Sequence, residues 1–341
     1  MPSPTLRCAA IGLNHNHIYG QVNLLLQAGA ELAAFYAAEA DLAAPFAATY
    51  PQARQARSAQ EILDDPSIQL IVSAGIPSER APLGIQVMRH GKDYLVDKPG
   101  FTSLDQLTEA RHVQAATGRI YSVLYGERLE SPAAVKAGEL VQAGAIGRVI
   151  QTIGLGPHRV NLPSRPDWFF QRARYGGILT DIGVHQMDQF LFFTGSTEAT
   201  VVASQVANYK HPQYPELEDF GDALLRGNGG TGYVRVDWYT PSGLTVWGDA
   251  RLTVLGTEGY IEIRKYIDLA GKPGGNHLFL VDHTGVKYSD CADVELPYGR
   301  QLLDDVQRRT ETAMPQAHVF LASELALKAE AAATRLGLLR D

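Results

Sequence analysis

The first 124 residues alternate short apolar runs with segments of helical spacing, and few folds accept that order. Leu6 to Ile11, Glu31 to Tyr36, Leu70 to Ala74, Asp93 to Val96 and Ile120 to Leu124 read as strands. Between them, Ile18 to Ala28, Ala40 to Tyr50, a short segment from Glu61, Pro82 to His90 and Leu104 to Ala116 read as helices. Strands and helices alternating at this interval predict a doubly wound parallel sheet. Its ligand is expected beyond the carboxyl ends of the strands, with a pyrophosphate at the first strand-to-helix turn.

That turn is Gly12-Leu13-Asn14-His15-Asn16-His17. Against the pattern G-x-G-x-x-G it keeps the first glycine; Asn14 and His17 replace the others. Asparagine tolerates a left-handed backbone, so the turn can survive. The acid that usually ends the second strand and binds ribose hydroxyls falls at Ala37, and Glu39 is the nearest carboxylate. No arginine stands beside it for a 2′-phosphate, so NAD and NADP both stay open. The expected cofactor contacts are Gly12, Leu13, Asn14, His15 and Glu39, with Gly75 and Ile76 after the third strand. His15 and His17 could converge on a metal, but no third ligand lies nearby in the sequence. No metal site is expected.

Two further motifs carry chemistry. Val96-Asp97-Lys98-Pro99 closes the fourth strand, and the proline biases Lys98 toward an extended, aimed conformation. A lysine partly withdrawn from water beside a substrate hydroxyl can stabilise a developing alkoxide. A surface lysine paired with Asp97 is the plainer alternative. The second motif runs Tyr175-Gly176-Gly177-Ile178-Leu179-Thr180-Asp181-Ile182-Gly183-Val184-His185-Gln186-Met187-Asp188. On one continuous helix, positions i, i+4 and i+7 fall within about 60° of one another, so Asp181, His185 and Asp188 would share a face. A carboxylate one turn from a histidine can fix its tautomer and support its charge. A satisfied structural histidine is the plainer alternative here too.

A parallel dinucleotide-type domain, a [DE]-K-P after its fourth main strand and a later G-G-x-x-x-D-x-G-x-H-x-x-D occur together here. In this the chain resembles the Gfo/Idh/MocA family, the glucose-fructose oxidoreductase and inositol dehydrogenase group, over nearly its full length. The resemblance implies an NAD- or NADP-dependent oxidoreductase of a sugar, sugar derivative or cyclitol. It implies a second α/β domain on a large open, mostly antiparallel sheet. Asp97-Lys98-Pro99 matches the family's E-K-P, which puts Asp97 and Lys98 with the cofactor and Lys98 also with substrate. Asp181 and His185 match its acid and histidine, with His185 as acid/base. Tyr175 stands where a glycine is often found, and Asn14, His17 and Ala37 depart from the family pattern in the cofactor half.

The remaining chain divides at about residue 125, giving expected domains 1–125 and 126–341. A helix from Ser131 to Ala143 leads to a strand from Val149 to Gly154. The aperiodic stretch Gly156 to Phe170 holds Arg165 and Trp168, suited to the hydroxyls and apolar face of a sugar ring. Strands are expected at Thr200–Val206, Asp219–Arg226, Gly232–Tyr239, Arg251–Gly256, Tyr260–Lys265 and Leu278–Asp282. Helices are expected at Asp304–Glu311 and Gln316–Leu336, the last stopped by Gly337.

A net charge of -7 without long charged runs disfavours nucleic acid and anionic membranes as partners. Two cysteines preclude a disulfide framework, and no apolar run spans a bilayer, so a cytoplasmic protein is expected. A homodimer or homotetramer through the C-terminal sheet is expected, with a sugar or polyol as the small-molecule partner. Two alternatives stay open: a sugar-binding protein that has lost redox activity, and a lyase or hydrolase that uses NAD transiently.

Overall fold

A computed structural model describes residues 5–337. Its residue contacts divide the chain into two compact units, Met1–Leu124 with Pro297–Phe320, and Tyr125–Leu296 with Leu321–Asp341. Residues 297–320, expected with the second domain, therefore cluster with the first. Within that unit Tyr298 Oη and Ser122 Oγ lie 2.8 Å apart, and Arg309 Nη1 donates to Asp93 at 3.0 Å.

The first unit carries β1 (Arg7–Ile11), β2 (Glu31–Tyr36), β3 (Arg54–Gln55), β4 (Leu70–Ser73), β5 (Asp93–Asp97) and β6 (Tyr121–Leu124). They form one six-stranded sheet in the order β3-β2-β1-β4-β5-β6, every pair parallel. Every residue of β4 and β5 is buried, as a sheet covered on both faces requires. The helix Pro77–Arg89 starts five residues before the expected Pro82. Pro77 suits its first position, where no N–H is needed. Pro82 leaves the Ser78 carbonyl without its helical donor, and Gln106 Nε2 fills the gap at 3.0 Å.

The second unit holds β7 (Val149–Pro157), β8 (Ala199–Ala207), β9 (Phe220–Gly227), β10 (Thr231–Asp237), β11 (Arg251–Gly256), β12 (Gly259–Arg264), β13 (His277–Asp282), β14 (Gly285–Asp290) and β15 (Thr334–Arg335). Their order is β14-β13-β12-β11-β7-β10-β9-β8-β15. Among the described strands of this second sheet, only β7–β10 and β8–β15 pair in parallel. The last helix ends at Ala332 rather than Leu336, because the chain turns to pair with β8 as β15. Gly337 is thus not its stop.

The helix Gly183–Thr194 lies on one face of this sheet. Gly154, Gly156 and Gly232 let it approach; a Cβ at any of them would fall 2.7–2.8 Å from Gln186 or Phe190. On the opposite face Leu224, Tyr233 and Ile153 are register partners in one row, with Leu255 and Tyr260 paired alongside. Of these, Leu224, Ile153, Leu255 and Tyr260 are exposed. This is the face expected to meet another subunit. No described helix is long and apolar enough to cross a membrane.

The helix expected to carry Asp181, His185 and Asp188 is interrupted. One turn runs Ile178–Asp181, and a second helix starts at Gly183. Between them Ile182 N still donates to Ile178 O at 2.9 Å, but Ile182 O accepts from His185 N at 3.1 Å, three residues on rather than four. Asp181 closes the first piece, so the single-face argument covers His185 and Asp188 alone.

Candidate active site

In the first unit the sheet order reverses direction between β1 and β4, the switch point where doubly wound sheets bind ligands. Gly12 follows β1 with φ +80°, and Gly75 follows β4. A Cβ on Gly12 would sit 3.0 Å from Gly75 Cα and 3.0 Å from Ser73 Oγ. Two backbone bonds join these turns, Ala74 N to Gly12 O at 3.0 Å and His15 N to Ala74 O at 2.9 Å. The result is a bare-backbone cradle at the place where a pyrophosphate binds. Asn14 stands at its edge: its Oδ1 would lie 3.8 Å from a Cβ on Gly75, and its Nδ2 donates to Glu39 Oε1 at 3.0 Å. That bond brings the late carboxylate back to the nucleotide turn. Leu13 is buried, and Ile76 precedes the helix Pro77–Arg89. The residues present fit a dinucleotide.

Asp97 ends β5 and Lys98 follows it, 3% and 8% exposed. Arg80, missed in the sequence, gathers this corner. It donates to Gly75 O at 2.7 Å, to Asp97 O at 3.1 Å, to Pro99 O at 3.3 Å and to Lys98 O. It also reaches Asp97 Oδ2 at 3.1 Å, while His17 Nδ1 lies 3.0 Å from Oδ1. Burial disfavours the ionised carboxylate, but His17 and Arg80 outweigh it and hold Asp97 well below the ordinary range. The available signal for Arg80 was its place near the start of the helix after β4, at the sheet edge where a ligand is expected.

In the second unit His185 is 6% exposed, on a helix that rests on β7 and β10. Its carbonyl accepts from Gln189 Nε2 at 3.0 Å. Gln189 Oε1 accepts in turn from Lys265 Nζ at 2.8 Å, and Lys265 pairs with Glu127 Oε2 at 2.7 Å. Gln186 Nε2 donates to the same oxygen at 2.8 Å. Burial opposes the charge on Glu127, yet Lys265, His185 and His158 bring it down to about 2. Sequence reasoning missed Glu127 and Lys265. Glu127 follows the carboxyl end of β6, a position where chemistry is expected, and that was its signal.

Asp188 is fully buried in a two-bond pair with Arg128, both bonds 2.7 Å, and is structural. Asp181 is partly exposed at the helix break. The Arg165 guanidinium lies 4.3 Å from the Phe169 ring centre. Burial disfavours its charge, Asp181 supports it, and burial prevails, so Arg165 titrates below its ordinary value. Trp168 is half-buried, its ring centre 6.4 Å from that of Phe169 and the two planes 66° apart. Tyr175 is a packed post: its hydroxyl donates to Glu216 O and accepts from Glu218 N, each at 3.0 Å.

The helix break has its own anchors. Gly176 and Gly177 have φ of +93° and +94°. Ile178 N donates to Glu218 Oε2 at 2.9 Å and Leu179 N to Glu330 Oε2 at 3.2 Å. Burial and the Glu218 charge push Glu330 up from 4.5 to about 8, against Arg172.

Two family models match. The one described as "Oxidoreductase family, NAD-binding Rossmann fold" covers residues 6–125, and the "GFO/IDH/MocA C-terminal domain" covers residues 134–262. A crystal structure from Erwinia carotovora atroseptica is 50% identical, with a TM-score of 0.95 over 98% of this chain and 100% of that one. Scyllo-inositol 2-dehydrogenase (NAD(+)) of Bacillus subtilis is 28% identical over 76% of this chain and 73% of its own. Levoglucosan dehydrogenase, solved with NADH and levoglucosan, shares the fold at 18% identity, with a TM-score of 0.77 over 96% of each chain. Matched in both its units, the chain belongs to the Gfo/Idh/MocA family of oxidoreductases, with an NAD-binding Rossmann domain.

Proposed function

We propose that the protein is an NAD(P)-dependent dehydrogenase of a sugar, sugar derivative or cyclitol. The observation that carries this reading is Lys98, nearly buried at the carboxyl edge of the sheet that also bears the Gly12–Gly75 cradle. A sugar-binding protein would need neither. Gly12, Leu13, Asn14, His15, Glu39, Gly75, Ile76 and Asp97 would hold the dinucleotide. The Glu39 carboxylate, kept in place by Asn14, suits ribose hydroxyls and repels a 2′-phosphate, which favours NAD. When bound, the oxidised nicotinamide supplies the hydride acceptor.

His185 takes the proton of the substrate hydroxyl as the C–H bond gives up its hydride. Imidazole suits that task because its ordinary pKa is about 6.5. Asp181 orients the substrate and supports the imidazolium, and the Lys98 ammonium stabilises the alkoxide that develops. Arg165 and Trp168 recognise the ring. In the reverse direction the same groups reduce a ketone. The relatives that act on inositol and levoglucosan support a polyhydroxylated ring as substrate.

The test is a panel of sugars and cyclitols with NAD+ and NADP+, followed by absorbance of the reduced nicotinamide. NAD+ should raise the melting temperature more than NADP+. His185→Ala and Lys98→Ala should each lose about 10²–10⁴-fold in turnover while keeping the NAD+ shift. Normal turnover in either variant refutes the assignment. Product formed without net reduced cofactor would point to transient redox chemistry instead.

A further inference from the structure

We propose that His15, His17 and Asp97 form a binding site for a divalent transition-metal cation. The sequence offers two of these ligands in one turn; the fold supplies the third from the end of β5. His17 Nδ1 lies 3.0 Å from Asp97 Oδ1, and His15 Nδ1 lies 3.8 Å from Asp97 Oδ2. One ligand atom from each of the three falls within 4.8 Å of the others. Ligands about 2.1 Å from a cation and 90–109° apart are separated by about 3.0–3.4 Å. The shortest edge already has that length, and an edge at the 4.8 Å limit must close by about 1.4–1.8 Å.

The donor set selects the class of ion. Two imidazoles and one carboxylate suit Zn²⁺, Fe²⁺ or Co²⁺, whereas Mg²⁺ and Ca²⁺ prefer oxygen alone. Three protein ligands leave a position for water or another oxygen, the pattern of an open rather than a closed site. Arg80 opposes the cation by charge, but its bond goes to Asp97 Oδ2; Oδ1 faces His17 Nδ1 at 3.0 Å, and a cation held by those two atoms must replace that contact. Arg80 also fixes the carboxylate, as outer partners of metal ligands do. The His15 Nδ1 lone pair accepts from His17 N at 3.2 Å, and a cation bound at that atom must replace this bond. His15 and Asp97 are also among the proposed dinucleotide contacts, so the titration is made on protein without nucleotide, where metal binding is read separately from the dehydrogenase reading.

The full-length protein, freed of metal with a chelator, is titrated with Zn²⁺ by calorimetry and with Co²⁺ by visible absorption. One equivalent should bind, with the spectrum of nitrogen and oxygen ligation. His17 is half-exposed, so His17→Gln should fold normally by circular dichroism; it and His15→Gln should each weaken binding at least about tenfold. Absence of binding beyond the chelator-treated baseline overturns the proposal. So does binding of unchanged strength in His17→Gln, since it would place the ion elsewhere. If His15→Gln fails to fold, the His17→Gln titration alone decides.

Discussion

The turn after β1 has lost two of three patterned glycines, yet its backbone cradle is intact; the Gly176–Gly177 motif is complete, yet its helix is broken. In the first case topology does the work. Parallel pairing of β1 with β4 brings Gly12 against Gly75, and the lost glycines become side chains that tie the turn to Glu39 and Asp97. In the second, the motif's geometry depends on side chains far away in sequence. Glu218 and Glu330 hold the two amides that follow Gly177, and Glu127 with Lys265 braces the helix behind His185. A motif can thus erode where the sheet dictates the backbone, and must persist where it threads between buried charges.

Each region rests on a buried ion pair, and the largest expected effects come from breaking them. Arg80→Met leaves the buried Asp97 carboxylate with His17 and frees four backbone carbonyls; the expected loss is about 5 kcal/mol in urea unfolding. Lys265→Met leaves Glu127 with Gln186 as a donor, and about 3 kcal/mol is expected. Equal losses would show that the charge pair alone counts and that the gathered carbonyls add nothing.

These pairs also mark where the sequence stopped being readable. The parallel sheet was legible because β4 and β5 are continuous apolar runs, and Lys98 because a proline pins it behind a strand. Arg80 was not, since its value lies in carbonyls from separate turns that only the folded chain assembles. The break at Ile182 was hidden because Gly177-to-Asp188 periodicity looks the same with or without one interrupted hydrogen bond. β15 was hidden for a similar reason: Thr334–Arg335 continues an alanine-rich helix in pattern and pairs with β8 only in the fold. Asp97 as a third partner for His15 and His17 lies 80 residues from His17, beyond any local spacing rule.

The glycines sharpen the contrast at smaller scale. Gly177 has φ +94° and ψ 160°, a region open essentially to glycine, and a Cβ there would collide with the Glu330 carboxyl group. Glu330 cannot swing away freely, because Arg172 and Leu179 N hold it. Gly177→Ala should cost about 3 kcal/mol. Gly12→Ala meets contacts of 3.0 Å at φ +80°, and about 1–2 kcal/mol is expected, together with loss of the melting shift given by NAD+. A Gly12→Ala protein that is less stable than Gly177→Ala would reverse the claim that the motif region is the less forgiving one.

The smallest effect separates the regions by pH. Asp97 and Glu127 are depressed in the folded protein, so their contribution is present above their unfolded values and fades only on strong acidification, for Glu127 as pH falls toward about 2. Glu330 runs the other way. Its carboxyl titrates at 4.5 when unfolded and about 8 when folded, so between those values the unfolded chain has released a proton that the folded chain keeps. Stability from this group is therefore highest below 4.5 and declines as pH rises toward about 8. In Glu330→Gln the amide N–H takes the place of the retained proton and can donate to Glu218. Melting curves of this variant should fall less between about pH 5 and about pH 8 than those of the parent protein. An undiminished slope would mean that Glu330 stays ionised between Arg172 and Arg335, and that the glycine pair is clamped by charge alone.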